Sequence, residues 1–324
     1  MKFFRSFFLL VLFTTAVKSQ SLKVASAPSS SKILKTEVLD KAITLKDVDG
    51  KVITTGIYNT PDQSDPSLKT YALKNGGFIV RENIANFLVY DSFGKVVRSI
   101  SNSTQSKDGE AISEVAADAN GKTIVLYNPK VMANGKSGSR AKVIGLNQSE
   151  SDIFYSDSRV IRTVKVSESG EFIAIATGKE GTDDEVVIVD RYGNKINTVS
   201  FDQEIVGVNL YGSGSTLTVY SNSRAAVYNV LTGKRIGSSS FRSPVHFANY
   251  SSSDKTIIAL TGDLKGSSIT NVELHAVNID ARKVVRGSFS SSIVELTEPV
   301  LERVGRFNYV LKGYNKDLKV RASF

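Results

Sequence analysis

The strongest constraint on this chain is a pair of turns that recur, interleaved, along most of its length. The first stands as Ser169-Gly170 ahead of the apolar run Phe172–Ala176. It returns as Asn75-Gly76-Gly77 before Phe78-Ile79-Val80, as Asn120-Gly121-Lys122 before Thr123-Ile124-Val125, and as Gly214-Ser215 before Thr216–Val219. Further copies are Ser253-Asp254-Lys255 and Val304-Gly305-Arg306. Measured through Gly76, Gly121, Gly170, Gly214, Asp254 and Gly305, the spacings are 45, 49, 44, 40 and 51 residues. The second turn reads Asp47-Val48-Asp49-Gly50-Lys51-Val52, Asp91-Ser92-Phe93-Gly94-Lys95-Val96 and Asp190-Arg191-Tyr192-Gly193-Asn194-Lys195-Ile196. Later members are Asn229-Val230-Leu231-Thr232-Gly233-Lys234 and Asn278-Ile279-Asp280-Ala281-Arg282-Lys283-Val284.

Residues Val164–Phe201 hold one complete unit. Val164–Val166, Phe172–Ala176, Val186–Val189 and Lys195–Phe201 are short apolar or β-branched runs separated by turn residues, which suits strands buried on both faces. Gly and Asn in the turns supply the positive φ that tight reversals need. A single four-stranded sheet has open edges and too little core, so it must stack on neighbours. A repeat of about 40–50 residues supplies them, and that period marks a propeller or another stacked β array. Between Gly121 and Gly170 the second turn is obscure and is placed within Ala133–Ala141.

The Ser-Gly turn followed by an apolar run resembles the inner-strand repeats of TolB-type and WD-repeat-like propellers. The Asp/Asn-x-x-Gly-Lys turn resembles the outer hairpin of YVTN and quinoprotein-like repeats. Both cover roughly residues 41–324, and the resemblance implies a fold superfamily, not an activity. The chain has no Trp, so the signature of true WD repeats is missing. The expected architecture is all-β: a six-bladed propeller of four-stranded antiparallel blades. Its blades fall near 68–104, 110–157, 160–201, 203–241, 243–289 and 290–324. Residues 41–58 form a hairpin without an inner pair, and 290–324 an inner pair without an outer hairpin, so the N-terminal strands are expected to complete the last blade. Seven blades is the alternative, should the residues ahead of 41 form more sheet.

Residues 1–19 combine Lys2 and Arg5, the apolar run Phe7–Phe13 and a small-residue end at Val17-Lys18-Ser19, the three regions of a secretory signal peptide. Residues 20–40, rich in Ser and Ala, read as a flexible leader, and 41–324 as one domain. Without Cys there is no lipobox, and stability must come from core burial, which a chain of this size supplies. Removing 1–19 takes away Lys2, Arg5 and Lys18 and no acid, lowering the formal charge from +9 to +6. So mild and dispersed an excess argues against nucleic-acid binding and leaves acidic glycan as a candidate partner.

No catalytic, cofactor-binding or metal residue is assigned, and no cofactor is expected. Asp183-Asp184-Glu185 and Asp47-Val48-Asp49-Gly50 offer oxygen ligands, but neither has the fifth-position ligand or distal Glu of a calcium loop. His246 and His275, the only histidines, sit in apolar runs without a companion at ligand spacing and read as structural. No G-x-S-x-G elbow is present. Sequons occur at Asn102, Asn147 and Asn249. The longest insertions, Asn128–Arg140, Gly178–Glu185 and Gly262–Asn271, all join second to third strands and would share one face. The expectation is an exported, non-enzymatic propeller, periplasmic, surface-bound or secreted. It would bind another protein as a scaffold or subunit of an envelope assembly. The alternatives are a calcium-dependent lactonase-like or glycan-processing enzyme, and a lectin using exposed aromatics such as Phe93, Tyr192 and Tyr211. N-terminal sequencing of the exported chain should begin at Gln20; retention of Met1 through Ser19 would refute the export reading.

Overall fold

The computed structural model describes residues 20–30, 35–39, 42–46, 50–57, 68–82, 86–101, 113–133, 136–146 and 149–324. The expected signal peptide, the Asp47-Val48-Asp49 turn and the sequon residues Asn102 and Asn147 lie outside the described residues. Among the described residues every regular element is a β-strand. The first four are β1 (Ser21–Pro28), β2 (Lys35–Leu39), β3 (Ala42–Lys46) and β4 (Val52–Ile57). A sheet in chain order follows, made of β5 (Lys69–Ala72), β6 (Phe78–Arg81), β7 (Asn86–Tyr90) and β8 (Val96–Ser101). The next comprises β9 (Glu114–Ala117), β10 (Ile124–Ala133), β11 (Lys136–Ile144) and β12 (Glu150–Ser156). Then come β13 (Val160–Val166), β14 (Phe172–Gly178), β15 (Asp184–Asp190) and β16 (Lys195–Phe201). The fourth holds β17 (Gly207–Tyr211), β18 (Thr216–Tyr220), β19 (Arg224–Asn229) and β20 (Arg235–Ser240). In the fifth, β21 (Val245–Ser251), β22 (Thr256–Lys265), β23 (Ser268–Asn278) and β24 (Lys283–Phe289) pair in order. The last strands are β25 (Ile293–Gly305), β26 (Asn308–Tyr314) and β27 (Lys316–Ser323).

These antiparallel four-stranded sheets are the blades of a propeller. Their middle strands are buried on both faces, as β6 and β18 are at every residue, and strand alternation sends successive side chains to opposite neighbours. In the first blade Ile79 and Val89 pack against Ile124 and Leu126 of the next. Phe78, Val80, Leu88 and Tyr90, on the other face, pack against Ile43 and Leu45 of β3. Phe78 and Tyr90 stack with ring centroids 4.4 Å apart. Each such side chain taken from water stabilises the fold by roughly 1.5–3 kcal/mol, which is why no disulfide is needed.

The four strands of each blade run outward from a common cavity. Strands β5, β9, β13, β17, β21 and β25 all contribute to its wall. The turns between first and second strands, and between third and fourth, therefore lie at one end, here termed the turn face. Second-to-third connections lie at the other, the loop face. On the turn face adjacent blades are stitched together. Asn75 N–H donates to the Ala119 carbonyl at 3.1 Å, Thr123 Oγ1 to Gly170 O at 3.2 Å and Ser169 Oγ to Ser213 O at 3.2 Å. Gly170 (φ +74°) must be glycine twice over, since a Cβ there would sit 2.6 Å from Thr123 Oγ1. The seam between the fifth blade and β25–β27 is stronger. Buried Asp254 accepts from Arg303 Nε (2.8 Å) and Nη2 (3.0 Å), from Phe307 N (3.2 Å) and from Tyr309 Oη (2.9 Å).

Closure differs from the sequence expectation in its segment, not in its principle. An N-terminal strand completes the last blade, in the order β25-β26-β27-β1, but it is Ser21–Pro28. Ser21 faces Ser323 and Pro28 faces Lys316. The Ala42–Ile57 hairpin instead joins β2 in a separate three-stranded sheet against the first blade. The strand lies close to β24 because Gly287 leaves room for it: a Cβ there would come 2.7 Å from Leu22 O. Leu22 itself is buried in the core. Two supposed loops are also strands. Asn128–Arg140 and Gly262–Asn271 belong to the hairpins β10–β11 and β22–β23, whose ladders extend beyond the sheet body. The obscure second turn of the second blade lies at Gly145–Ser149, closed by a 2.9 Å bond from Gly145 N to Ser149 O, not within Ala133–Ala141.

Two outcomes test this architecture. Leu22→Ala should cost about 2–4 kcal/mol in urea denaturation, far above the near-zero effect expected of a leader residue. Burial pushes the Asp254 carboxyl upward, but its bonds to Arg303, Tyr309 and the Phe307 N–H outweigh that and hold it below its ordinary 3.8. Its contribution is therefore full above 3.8 and disappears as pH falls through the lower folded value. Asp254→Asn should be less stable than the parent at neutral pH, with the gap closing as the pH falls below 3.8; a gap independent of pH would refute the latch.

Candidate functional site: the channel and the two ends of the propeller

The first strand of each blade must present alternate side chains to the axis, so whatever occupies those positions defines the channel. The cavity there measures ≈ 420 Å³. Lys165 of β13 and Glu298 of β25 meet across it, Nζ to Oε1, at 2.7 Å. Near the turn face Lys74 pairs with Glu168 at 2.7 Å, and Tyr211 completes that mouth. Enclosure by protein pushes the Glu298 carboxyl upward, yet Lys165 and Lys74 outweigh it and leave the group below its usual value. Glu295 responds in the opposite sense: burial raises it, Lys165 opposes, and Glu298 adds to the rise.

At the loop-face mouth a second network forms around Glu114, at the start of β9. Lys69 Nζ donates to Glu114 Oε2 at 2.7 Å and Tyr71 Oη to the same oxygen at 3.0 Å. Buried Arg81 donates to Tyr71 Oη (3.2 Å) and to the Ser113 carbonyl (2.6 Å). Burial raises the Glu114 carboxyl, but the Lys69 ammonium overrides it and holds the group low. The nearby Tyr127 hydroxyl is pushed up to about 12, first by burial and then by Glu114. The acids on the channel wall thus face cations already in place.

The acidic run that might have bound calcium is dispersed by the fold. Asp184 is buried and accepts from Arg162 Nε at 2.6 Å and Ile205 N at 2.8 Å. Asp183 accepts from Ser200 Oγ at 3.0 Å, and Glu185 faces Arg159 at 3.6 Å. Among the described residues no three His, Asp or Glu side chains converge as a metal centre requires. His246 Nε2 lies 2.9 Å from the Gly262 carbonyl. His275 is buried, 3.0 Å from Thr261 Oγ1 and edge-on to Phe241, and burial lowers its pKa against the opposing pull of Glu273. Asn249 is buried in the channel wall, with Oδ1 accepting from Tyr250 N. Phe93 and Tyr192 are exposed on outer turns, whereas Tyr211 faces the channel mouth. All three therefore lie at the turn-face end, Tyr211 at its channel mouth and Phe93 and Tyr192 on its outer turns.

Beside the β22–β23 hairpin the loop face opens into a cleft of ≈ 950 Å³. Phe241, Arg242, Asp263, Glu273, His275 and Arg286 are on its walls, and Leu264 at the hairpin tip is 65% exposed. Sequence reasoning found the hairpin as an insertion but missed the cleft. It also missed Lys74, Lys165 and Glu298. Lys165 and Glu298 sit on first strands and Lys74 in the turn that follows one, and their placement at the axis is visible only once strand phase is known.

Fold and channel together define an all-β propeller with an ion-paired axis. No family model matches the chain, and no curated protein does. The fold is widely shared, with 934 solved chains matching it, so it carries no activity by itself. A crystal structure of the eukaryotic initiation factor is 9% identical over 80% of this chain and 63% of its own, with a TM-score of 0.51. Hydrazine synthase of Kuenenia stuttgartiensis is 12% identical over 78% of this chain and 76% of its own, at 0.49. These likenesses concern the fold alone.

If the channel pair acts as a unit, a double-mutant cycle with Lys165→Met and Glu298→Gln should give a coupling of about 0.5–1 kcal/mol, scaled for partial solvent access. Additive effects would show that the two charges ignore each other.

Proposed function

We propose that this chain is an exported, non-enzymatic propeller that binds another protein at its loop face, as a scaffold or subunit of an envelope or surface assembly. The observation that carries the reading is the loop face itself. The projecting β22–β23 hairpin there flanks a cleft with both charge signs and an aromatic floor. Its exposed Leu264, with Tyr155 71% exposed at the same end, supplies apolar contacts of the kind protein interfaces bury. The channel supports a structural reading of the axis, since its acids are engaged by Lys74, Lys165 and Lys69. Export rests on residues 1–19, as argued from the sequence.

Purification from the native source should yield the protein with a stoichiometric partner. Leu264→Asp combined with Arg286→Glu should release that partner while leaving the melting temperature within about 2 °C, as expected of surface substitutions. Elution of the parent as a free monomer under all conditions, or a partner indifferent to both substitutions, would overturn the proposal.

A further inference from the structure

The outer turns leave a second surface unaccounted for. In four successive blades the turn between third and fourth strands raises a large apolar side chain into solvent. These are Phe93 (88% exposed), Leu146 (68%), Tyr192 (67%) and Leu231 (63%). All four occur at the turn face, because the end of a third strand and the end of a first strand point the same way in an antiparallel sheet. At the Phe93 and Tyr192 turns an aspartate fixes the backbone that raises the tip. Asp91 Oδ1 accepts from Phe93 N (2.9 Å) and Lys95 N (3.0 Å), and Asp190 Oδ1 from Tyr192 N (2.8 Å) and Asn194 N (2.9 Å).

Beside these tips stand cations. Lys95, Lys195 and Lys234 follow the turns of Phe93, Tyr192 and Leu231, and Arg191 lies over the Tyr192 ring at 5.1 Å. The acids of this end are largely occupied: Asp91 and Asp190 by backbone N–H groups, Asp254 by Arg303, Glu168 by Lys74. Glu171, Asp280 and the exposed Asp152 are among those that remain. The loop face differs, since its Arg162 and Arg159 are matched to Asp184, Glu204 and Glu185. The turn face therefore repeats one arrangement, an exposed apolar tip on the outer turn of successive blades with Lys95, Lys195 and Lys234 following three of them; the loop face exposes Leu264 and Tyr155 without that repeat.

We propose that the turn face docks on an anionic lipid bilayer, with the four tips entering the interfacial zone and the neighbouring Lys and Arg meeting lipid phosphates. A bilayer is favoured over a folded protein because the tips sit on separate outer turns, away from the channel mouth, and enclose no shared groove. Single apolar side chains spaced along a rim suit a flat, deformable surface, and aromatic residues flanked by cations are the side chains that partition to headgroup depth. This inference stands independently of the loop-face reading.

The test is co-sedimentation of the chain from Gln20 onward, which retains every described strand, with vesicles of phosphatidylcholine alone or mixed with phosphatidylglycerol. The expected result is sedimentation with the anionic vesicles only, weakening as salt is raised. Replacing Lys95, Lys195 and Lys234 by Gln should reduce partitioning about fivefold per residue. Tyr192→Ser with Leu231→Ser should weaken binding without removing its salt dependence, and Lys179→Gln with Lys265→Gln on the loop face should change nothing. Melting curves confirm that each variant is folded, and the parent's lipid and salt dependence decides the matter without variants. Equal sedimentation with neutral vesicles, none with either kind, or loss caused by the loop-face pair would overturn the proposal. Capture by immobilised heparin without vesicle binding would do so as well, pointing to an acidic glycan.

Discussion

The ladder between β1 and β27 is the contact on which the ring depends. Blades stacked around an axis bury their faces pairwise, but the ring is only as strong as the blade where the two chain ends meet. Here that blade takes three strands from the C-terminal region and one from residues 21–28, in register from Ser21↔Ser323 to Pro28↔Lys316. Without β1, β27 would offer an unpaired edge, the usual starting point for association with other chains. Closure by non-local pairing also ties the ends entropically, since the partners are separated by nearly the whole sequence.

A second constraint works alongside it on the turn face. The Asp254 carboxylate replaces the glycine that stands at the corresponding turn of other blades, and reaches three residues of the next. A buried carboxylate is costly unless its oxygens are satisfied, and this one has four donors. The same seam carries direct strand pairing, Ser268↔Val294 and Ile269↔Ile293, which joins the fifth and last blades into one sheet. The junction next to the closure thus carries both a carboxylate latch and a strand ladder, where a failure would open the ring.

Much of this was legible in the sequence because turns, unlike strands, have residue-specific requirements. Gly76, Gly121, Gly170 and Gly214 all take positive φ, and their spacing gave blade boundaries to within a few residues. The closing strand was hidden for the opposite reason. Ser21–Pro28 alternates correctly, with Leu22 inward, but its small residues resemble a linker, and only contact with β24 and β27 makes it a strand. Among the described residues, four four-stranded sheets, an eight-stranded sheet that joins β21–β24 to β25–β27 and β1, and the three-stranded sheet of β2–β4 stand where six blades were expected. The channel ion pairs were invisible because Lys165 and Glu298 are far apart in sequence and meet only through the ring. His246 and His275 read as structural from their apolar surroundings; in the fold His246 lies against the Gly262 carbonyl and His275 against Thr261 Oγ1, on the wall of the loop-face cleft.

The outer turns separate what folding requires from what it leaves free. Asp91 and Asp190 are needed to hold backbone N–H groups, and Gly94 and Gly193 to supply positive φ. The residue just before that glycine is bound by neither demand. Its side chain points into water, so folding is served equally well by Ser, Asn or Asp, and solubility is served better. Yet that position holds Phe93 and Tyr192, and the outer turns of the intervening and following blades raise Leu146 and Leu231. An isolated exposed apolar residue needs no explanation. A large apolar tip on the outer turn of four consecutive blades, at the same end of the molecule, is a pattern that neither the strand ladder nor the core requires, and the proposed bilayer contact of that end accounts for it.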